Sequence, residues 1–396
     1  MKSILFLVAL LCITTLSSQQ KERSNYKNYF EKEAKNPAIH HSIISKYYDH
    51  PREIIVQLPL SYRQMSQKRY PVLYLLDGER NIKSLTLIAN TLARKHKMPE
   101  ILIVAIPAST TRQQDYTPND IPMHSSTKLG NAKTFTQFLK EELTTYIDTT
   151  YRTVPYRILS GHSRGGLFAL NDLLAENAIF QAHFAFSPAL WAGNYKLISK
   201  ASQKLEEGKI GNHFFYVNAG GEESLKIRKA FFQFESLLNI HNPTRWEATF
   251  HEHDSHGTTP IPGHYLALRK LYANWDKPWE LYDSEGLTAV KTQHDLLSKE
   301  FGYRVIPDEN DLNNIGYSLL KKGEIEKAIT AFQLNTDYHP HSANAFYNYA
   351  KALDTKGALD LALSTMEKVL SLNKKPSKEM RTYYQALRKK VSKSNK

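Results

Sequence analysis

Residues 161–166 read Gly-His-Ser-Arg-Gly-Gly. A serine with glycine two residues away on both sides is the pattern of a nucleophile elbow, a sharp turn from strand to helix that lifts the hydroxyl clear of the backbone. The glycines are demanded sterically, because side chains at those positions would collide across the turn. The flanks suit this reading: residues 156–160 (YRILS) are strand-like and residues 167–174 helix-like. Ser163 is therefore the expected nucleophile. It would attack a carbonyl carbon if a base takes its proton and a third group orients that base.

The base and its orienter should follow in the order acid, then histidine. Residues 217–224 (VNAGGEES) place two carboxylates just past a strand end. Glu223 is the expected acid and Glu222 the alternative. Residues 250–260 (FHEHDSHGTTP) offer His251, His253 and His256. His256 is preferred as the base, because Gly257 and the loop after it suit a mobile imidazole beyond the last strand. His251 and His253 alternate at strand period and read as strand or rim residues. The competing reading is a metal site from His251, His253, Asp254 and His256. With no second cluster elsewhere, no metal is expected.

The negative charge that develops on the attacked oxygen needs N–H donors. The backbone amide of Arg164 is one. The other should come from the loop after an early strand, Leu76-Asp77-Gly78-Glu79, through the amide of Glu79. A plain turn is the competing reading of Asp77-Gly78. Side chains and backbone carry this chemistry, so no cofactor is expected. Arg112 and Asp115 sit on a loop after a strand, where they either bind a polar substrate group or pair with each other. Trp191 either walls the substrate site or belongs to the core.

The elements that must position these groups are legible between residues 42 and 275. Strand-like runs occur at 53–59, 70–76, 100–106, 156–160, 183–186, 213–218 and 246–251, and helix-like stretches at 82–95, 132–148, 165–176, 225–239 and 263–274. Alternation of strands and helices, with near-continuous apolar strands, predicts a doubly wound, mostly parallel sheet with helices on both faces.

After residue 275 the strand signals stop. One connecting helix is expected over about 286–301, within a 277–308 segment. A 34-residue register follows: Gly316, Gly323, Ala328, Phe332 and Pro340 recur as Ala350, Gly357, Ala362, Met366 and Lys374. This is the period of tetratricopeptide repeats, at 309–342 and 343–376, each a helix–turn–helix. Two repeats fall below the usual minimum of three, so a closing helix over about 377–391 is expected to cap them.

The chain has 396 residues, 41% hydrophobic and 23% charged, which excludes a disordered or fibrous protein. The net charge is +13, but residues 374–396 alone hold nine basic residues and one acid. Most of the charge thus lies in the tail, which reads by default as a solvated helix face; the rest of the chain is only mildly basic, and the total is no argument for nucleic-acid binding. Residues 1–20 carry a lysine, a short apolar run and a small-residue exit, the pattern of a secretory signal peptide ending near residue 18. The one cysteine, Cys12, falls inside it. A disulfide framework is excluded. No transmembrane span is expected in the mature chain, and the location is expected to be periplasmic or secreted.

Seven motifs in order, YPVLYLLDGE (70–79), TRQQDYTP (111–118), the 138–151 helix with TTYRT (149–153), GHSRGGLFAL (161–170), SPALW (187–191), GGEES (220–224) and DSHG (254–257), resemble the esterase family of α/β-hydrolases. That family includes enterochelin and salmochelin esterases, S-formylglutathione hydrolase, feruloyl esterases and mycolyltransferases. The resemblance covers about residues 40–276 and implies an α/β-hydrolase domain at 19–276 followed by an all-α module at 309–396. It implies Ser163 as nucleophile, His256 as base and a carboxylate in GGEES, although some enterochelin-esterase-like members use a Ser–His dyad. The expected function is a secreted serine esterase acting on a small-molecule, glycan or siderophore-type ester, with the repeats free to bind a protein partner. The rivals are a non-catalytic scaffold presenting the repeats, an acyltransferase, and a peptidase.

Overall fold

The computed structural model describes residues 36–123, 128–275 and 278–394. The expected signal peptide and Cys12 lie outside the described residues. The chain divides into two compact units, with the boundary between residues 275 and 276.

The first unit is built on one eight-stranded sheet: β1 (Ile39–Ile43), β2 (Arg52–Gln57), β3 (Tyr70–Leu76), β4 (Leu102–Ile106), β5 (Thr153–His162), β6 (Ala182–Phe186), β7 (Phe214–Gly220) and β8 (Trp246–His251). Their spatial order is β1-β2-β4-β3-β5-β6-β7-β8. β1 and β2 pair antiparallel, as do β2 and β4, and every later pairing is parallel. The central strands explain the apolar runs in the sequence: all residues of β3, β4, β6 and β7 are buried, as strands covered on both faces must be.

The helices are α1 (Gly78–Arg94), the single turn α2 (Arg112–Asp115), α3 (Ala132–Gln137), α4 (Thr144–Thr150), α5 (Arg164–Leu173), α6 (Ala192–Glu206), α7 (Leu225–His241) and α8 (Pro260–Leu271). A π-helical stretch, Phe138–Leu143, joins α3 to α4. Leu159 of β5 packs with Phe135, Phe138, Leu143 and Phe168 on the face covered by α3, α4 and α5. The next residue, Ser160, points to the opposite face, where its hydroxyl meets His264 Nε2 of α8 at 2.9 Å. α1 packs beside α8 on that face.

The sequence reading did not anticipate β1 or α6. β1 is a short edge strand whose residues alternate between exposed and half-buried, so no apolar run marks it. α6 has the helical signal in Leu197, Ile198, Ala201 and Leu205, all buried. Its start is masked by Gly193, Asn194 and Tyr195, which take positive φ (58°, 54° and 62°).

The second unit is all helix: α9 (Pro278–Glu285), α10 (Leu287–Phe301), α11 (Glu309–Lys321), α12 (Ile325–Tyr338), α13 (Ala343–Lys356), α14 (Leu359–Leu372) and α15 (Lys378–Ser394). The helix pairs α11–α12 and α13–α14 fall on the 34-residue register. Gly316 shows why the register needs small residues: a Cβ there would come within 2.5 Å of the Phe332 ring. Where one connecting helix was expected there are two, and Tyr282 and Leu287 pack against the core of the repeats. α15 closes the stack through buried Leu387, and Tyr383 donates to Asp354 at 3.0 Å. Its outer face carries exposed Lys378, Arg381, Arg388, Lys389 and Lys393. Among the described residues, no helix is long and apolar enough to cross a membrane.

Candidate active site

The candidate residues gather at the carboxyl ends of β3, β5, β6, β7 and β8, where the loops of an open parallel sheet converge. Ser163 stands between the last residue of β5 and the first turn of α5, with φ 59° and ψ −114°. That conformation is costly for a residue with a Cβ. The neighbours impose it. A Cβ on Gly161 would lie 2.2 Å from the carbonyl oxygen of Gly165, so the turn closes only with glycine there. The Ser163 amide donates to Phe186 O at 2.9 Å, and Ala189 N–H donates to Ser163 O at 3.0 Å, which ties the elbow to the end of β6.

Glu223 and His256 come together: Nδ1 of His256 lies 2.8 Å from Oε2 of Glu223. The Glu223 carboxylate is fully buried, whereas the imidazole is 40% exposed, so one partner is fixed and the other stays reachable. The second oxygen, Oε1, accepts from the Gly220 amide at 2.8 Å and from the Ser187 hydroxyl. Burial alone would raise the pKa of Glu223; the hydrogen bonds from His256, Ser187 and Gly220 outweigh it and hold the carboxyl below its ordinary value. With both oxygens bonded, the carboxylate favours the His256 tautomer with its proton on Nδ1, which leaves Nε2 with a lone pair. Glu222 is exposed, and its amide donates to Asp254 O at 3.1 Å.

The acid loop and the histidine loop approach through backbone. Gly221 N–H donates to His251 O at 2.8 Å. A Cβ on Gly220 would meet Asp254 O at 2.1 Å, and one on Gly221 would meet Glu252 O at 2.1 Å. The glycine pair of GGEES thus permits the contact rather than merely turning the chain. His251 Nδ1 lies 3.9 Å from Asp254 Oδ2. Among the described residues, His251, His253, Asp254 and His256 do not converge into a group able to hold a metal ion.

The amides of Arg164 and Glu79 both belong to the first turn of a helix, α5 and α1, where N–H groups have no partner within the helix. Asp77, at φ 51°, turns the chain into α1. Its buried carboxylate grips Arg112 with two bonds, Nε to Oδ1 at 2.6 Å and Nη2 to Oδ2 at 2.5 Å. The side chain of Glu79 accepts from the Ala108 amide at 3.0 Å. The Arg164 guanidinium turns to Thr117 Oγ1 at 2.7 Å.

One of the two readings of Arg112 and Asp115 falls here. Arg112 and Asp115 do not pair with each other: Arg112 is bound to Asp77, and Asp115 forms a buried pair with Arg52 at 3.0 Å and accepts from Tyr48 at 2.9 Å. The Arg112 guanidinium therefore braces the turn at Asp77 rather than standing open to solvent. Trp191 is half-buried against the core below α6, with Lys226 Nζ 3.9 Å from the centre of its ring.

Three groups escaped the sequence reading. Ser187, at φ 42°, donates to Glu223; it lies in SPALW, but nothing in that motif shows the partner. His162 donates from Nε2 to the carbonyl oxygen of His256 at 2.6 Å. His264 is fully buried beneath Ser160 and Phe186, and burial pushes its pKa down to about 3. None of these contacts follows from local spacing.

Comparison with known proteins bears on the family and the fold. The chain is 30% identical over 139 residues to the ferri-bacillibactin esterase BesA of Bacillus subtilis, spanning 31% of this chain and 48% of that protein. It is 29% identical over 178 residues to the siderophore enterobactin esterase of Emericella nidulans, spanning 39% of this chain and 58% of that protein. The chain thus spans about half the length of the curated relatives it matches. In fold it resembles an IroE-like serine hydrolase of Shewanella oneidensis, with TM-score 0.66, 24% identity, and 76% of this chain and 100% of that one covered. A Capnocytophaga ochracea protein gives TM-score 0.65 at 16% identity, covering 89% of this chain and 99% of that one. Residues 343–376 match a tetratricopeptide repeat. Residues 45–256 match the family described as "Putative esterase", and the chain belongs to that esterase family.

Proposed function

We propose that the protein is a serine carboxylic-ester hydrolase whose triad is Ser163, His256 and Glu223. The observation that carries the reading is the 2.8 Å bond between His256 Nδ1 and a buried Glu223 carboxylate bonded through both oxygens, at the same strand ends as a serine at φ 59°.

The mechanism follows from those roles. His256 Nε2 accepts the Ser163 hydroxyl proton as Oγ attacks the ester carbonyl. The oxyanion is held by the amides of Arg164 and Glu79, whose helix N-termini add favourable dipoles. Glu223 keeps the imidazole in one tautomer and stabilises its charged form. The tetrahedral intermediate collapses as His256 passes its proton to the leaving alcohol. Water then attacks the acyl-serine, with His256 taking a proton from the water and returning it to Ser163 Oγ as the acid departs. Asp77 and Arg112 hold the turn that presents the Glu79 amide.

The relatives that carry siderophore-esterase names favour a siderophore-type ester as substrate. The signal-like N-terminus favours a periplasmic or secreted location, and the tetratricopeptide repeats favour a protein partner. The test is an ester panel varied in acyl length and alcohol, including a triscatecholate lactone, run on wild type and Ser163→Ala with a serine-directed fluorophosphonate. Hydrolysis and labelling that both vanish in Ser163→Ala support the reading. Labelling that persists in the variant rejects it.

A further inference from the structure

We infer that His162, the residue before the nucleophile, is a positioning residue that clamps the main chain of His256. The inference rests on the reading of Ser163 and His256 as nucleophile and base. His162 is the last residue of β5, and its Nε2 lies 2.6 Å from the carbonyl oxygen of His256. A carbonyl only accepts, so this ring nitrogen carries the proton. The two imidazoles stand 4.5 Å apart between ring centres, tilted by 48°.

The clamp answers a mechanical need. The His256 side chain is 40% exposed, so packing alone does not lock it. Glu223 holds the ring at Nδ1 only, and a ring held at one atom can still swing with its backbone. Among the described residues, the other bonds to the His256 carbonyl come to one weak contact, Thr259 Oγ1 at 3.4 Å. His162 supplies the strong one, from the end of the strand that Ser163 directly follows. Nucleophile and base are thereby referenced to the same strand, which sets the direction in which Nε2 points. Displacements of about 1 Å at such a pair cost on the order of 10²-fold in rate.

The chemistry also requires the clamp to be uncharged. His256 must take a proton in each half-reaction, and a second imidazolium at 4.5 Å would oppose it. Burial first, and then the charge of His256, lower the His162 pKa to about 4, so it is neutral near pH 7.

The test compares three variants with wild type. His162→Phe keeps a ring but loses the donor. His162→Asn keeps a donor that is too short to reach. His162→Gln presents an amide N–H at comparable reach. The Phe and Asn variants should lower kcat about 10–100-fold with KM within about twofold, and slow fluorophosphonate labelling in parallel; Gln should recover to within about fivefold of wild type. A Phe or Asn variant as fast as wild type, a change in KM alone, or a Gln variant no faster than Asn overturns the inference. If Phe fails to fold by thermal melting, the Asn and Gln pair decides alone. If wild type shows no Ser163-dependent hydrolysis, the esterase reading falls and this inference falls with it. If it does show such hydrolysis and the variants match it, only this inference falls.

Discussion

The amide of Gly221 donates to the carbonyl of His251 at 2.8 Å, so the loop that bears Glu223 is stitched to the loop that bears His256. The bond exists because the two backbones pass closer than any side chain would allow. Gly221→Ala places a Cβ 2.1 Å from Glu252 O, and Gly220→Ala places one 2.1 Å from Asp254 O. Each should push the loops apart and lower kcat by about 10²-fold. Gly257→Ala, next to His256, meets nothing within 4 Å and should stay near wild-type activity. Steady-state kinetics on the three variants checks the contrast.

Glu223 and Glu222 are neighbours with different surroundings, one buried against His256 and the other exposed. Glu223→Gln should lower kcat by about 10²–10⁴-fold, because the amide no longer fixes the imidazole tautomer. Glu222→Gln should lower it by less than about threefold. Equal effects in kinetic assays of the two variants would remove the asymmetry on which the assignment stands.

The strain at Ser163 gives a prediction in which activity and stability move in opposite directions. Glycine takes φ 59°, ψ −114° without a clashing Cβ, whereas serine is held there by the surrounding turn. Ser163→Gly should abolish hydrolysis and raise stability by about 1–2 kcal/mol, read as an upward shift of the chemical-denaturation midpoint. A midpoint at or below wild type would mean that the elbow stores no strain.

His264 sets a pH dependence of stability. It is buried with its pKa depressed to about 3, while in the unfolded chain it titrates near its ordinary value of 6.5. Between those values the unfolded chain binds the extra proton, so stability is fully present above about pH 6.5 and is lost as the pH falls toward 3. At pH 5 the loss from this group is about 2 kcal/mol. His264→Gln, which can still bond Ser160, should flatten the slope of denaturation midpoint against pH between 4 and 6.5. An unchanged slope would assign the acid sensitivity to other groups.

The sheet was legible because its central strands are apolar on both faces, and that pattern is written in consecutive residues. The repeats were legible because a 34-residue period is written in spacing. β1 was not: an edge strand half open to water has no apolar run to show. The helix α6 was hidden by a start at Gly193 that is not helical. At the site, Ser163 could be read because the elbow's steric demand falls on residues two positions away. What could not be read are bonds between elements far apart in sequence. Arg112 finds Asp77 across 35 residues, Asp115 finds Arg52 across 63, and His162 finds His256 across 94. No local pattern chooses among the 39 carboxylates of the chain for an arginine. The sheet order does, by bringing particular strand ends side by side.

The outer face of α15 presents five cations, while the helix's apolar side is already committed to the repeats through Leu387 and Val391. Its one acid, Glu379, accepts from Tyr347 at 2.9 Å. Most amphipathic basic helices have an oily side free to sink into a bilayer, and this one does not. Its reach is therefore purely Coulombic. At physiological ionic strength that reach extends about 8 Å from the surface and shortens as salt is added.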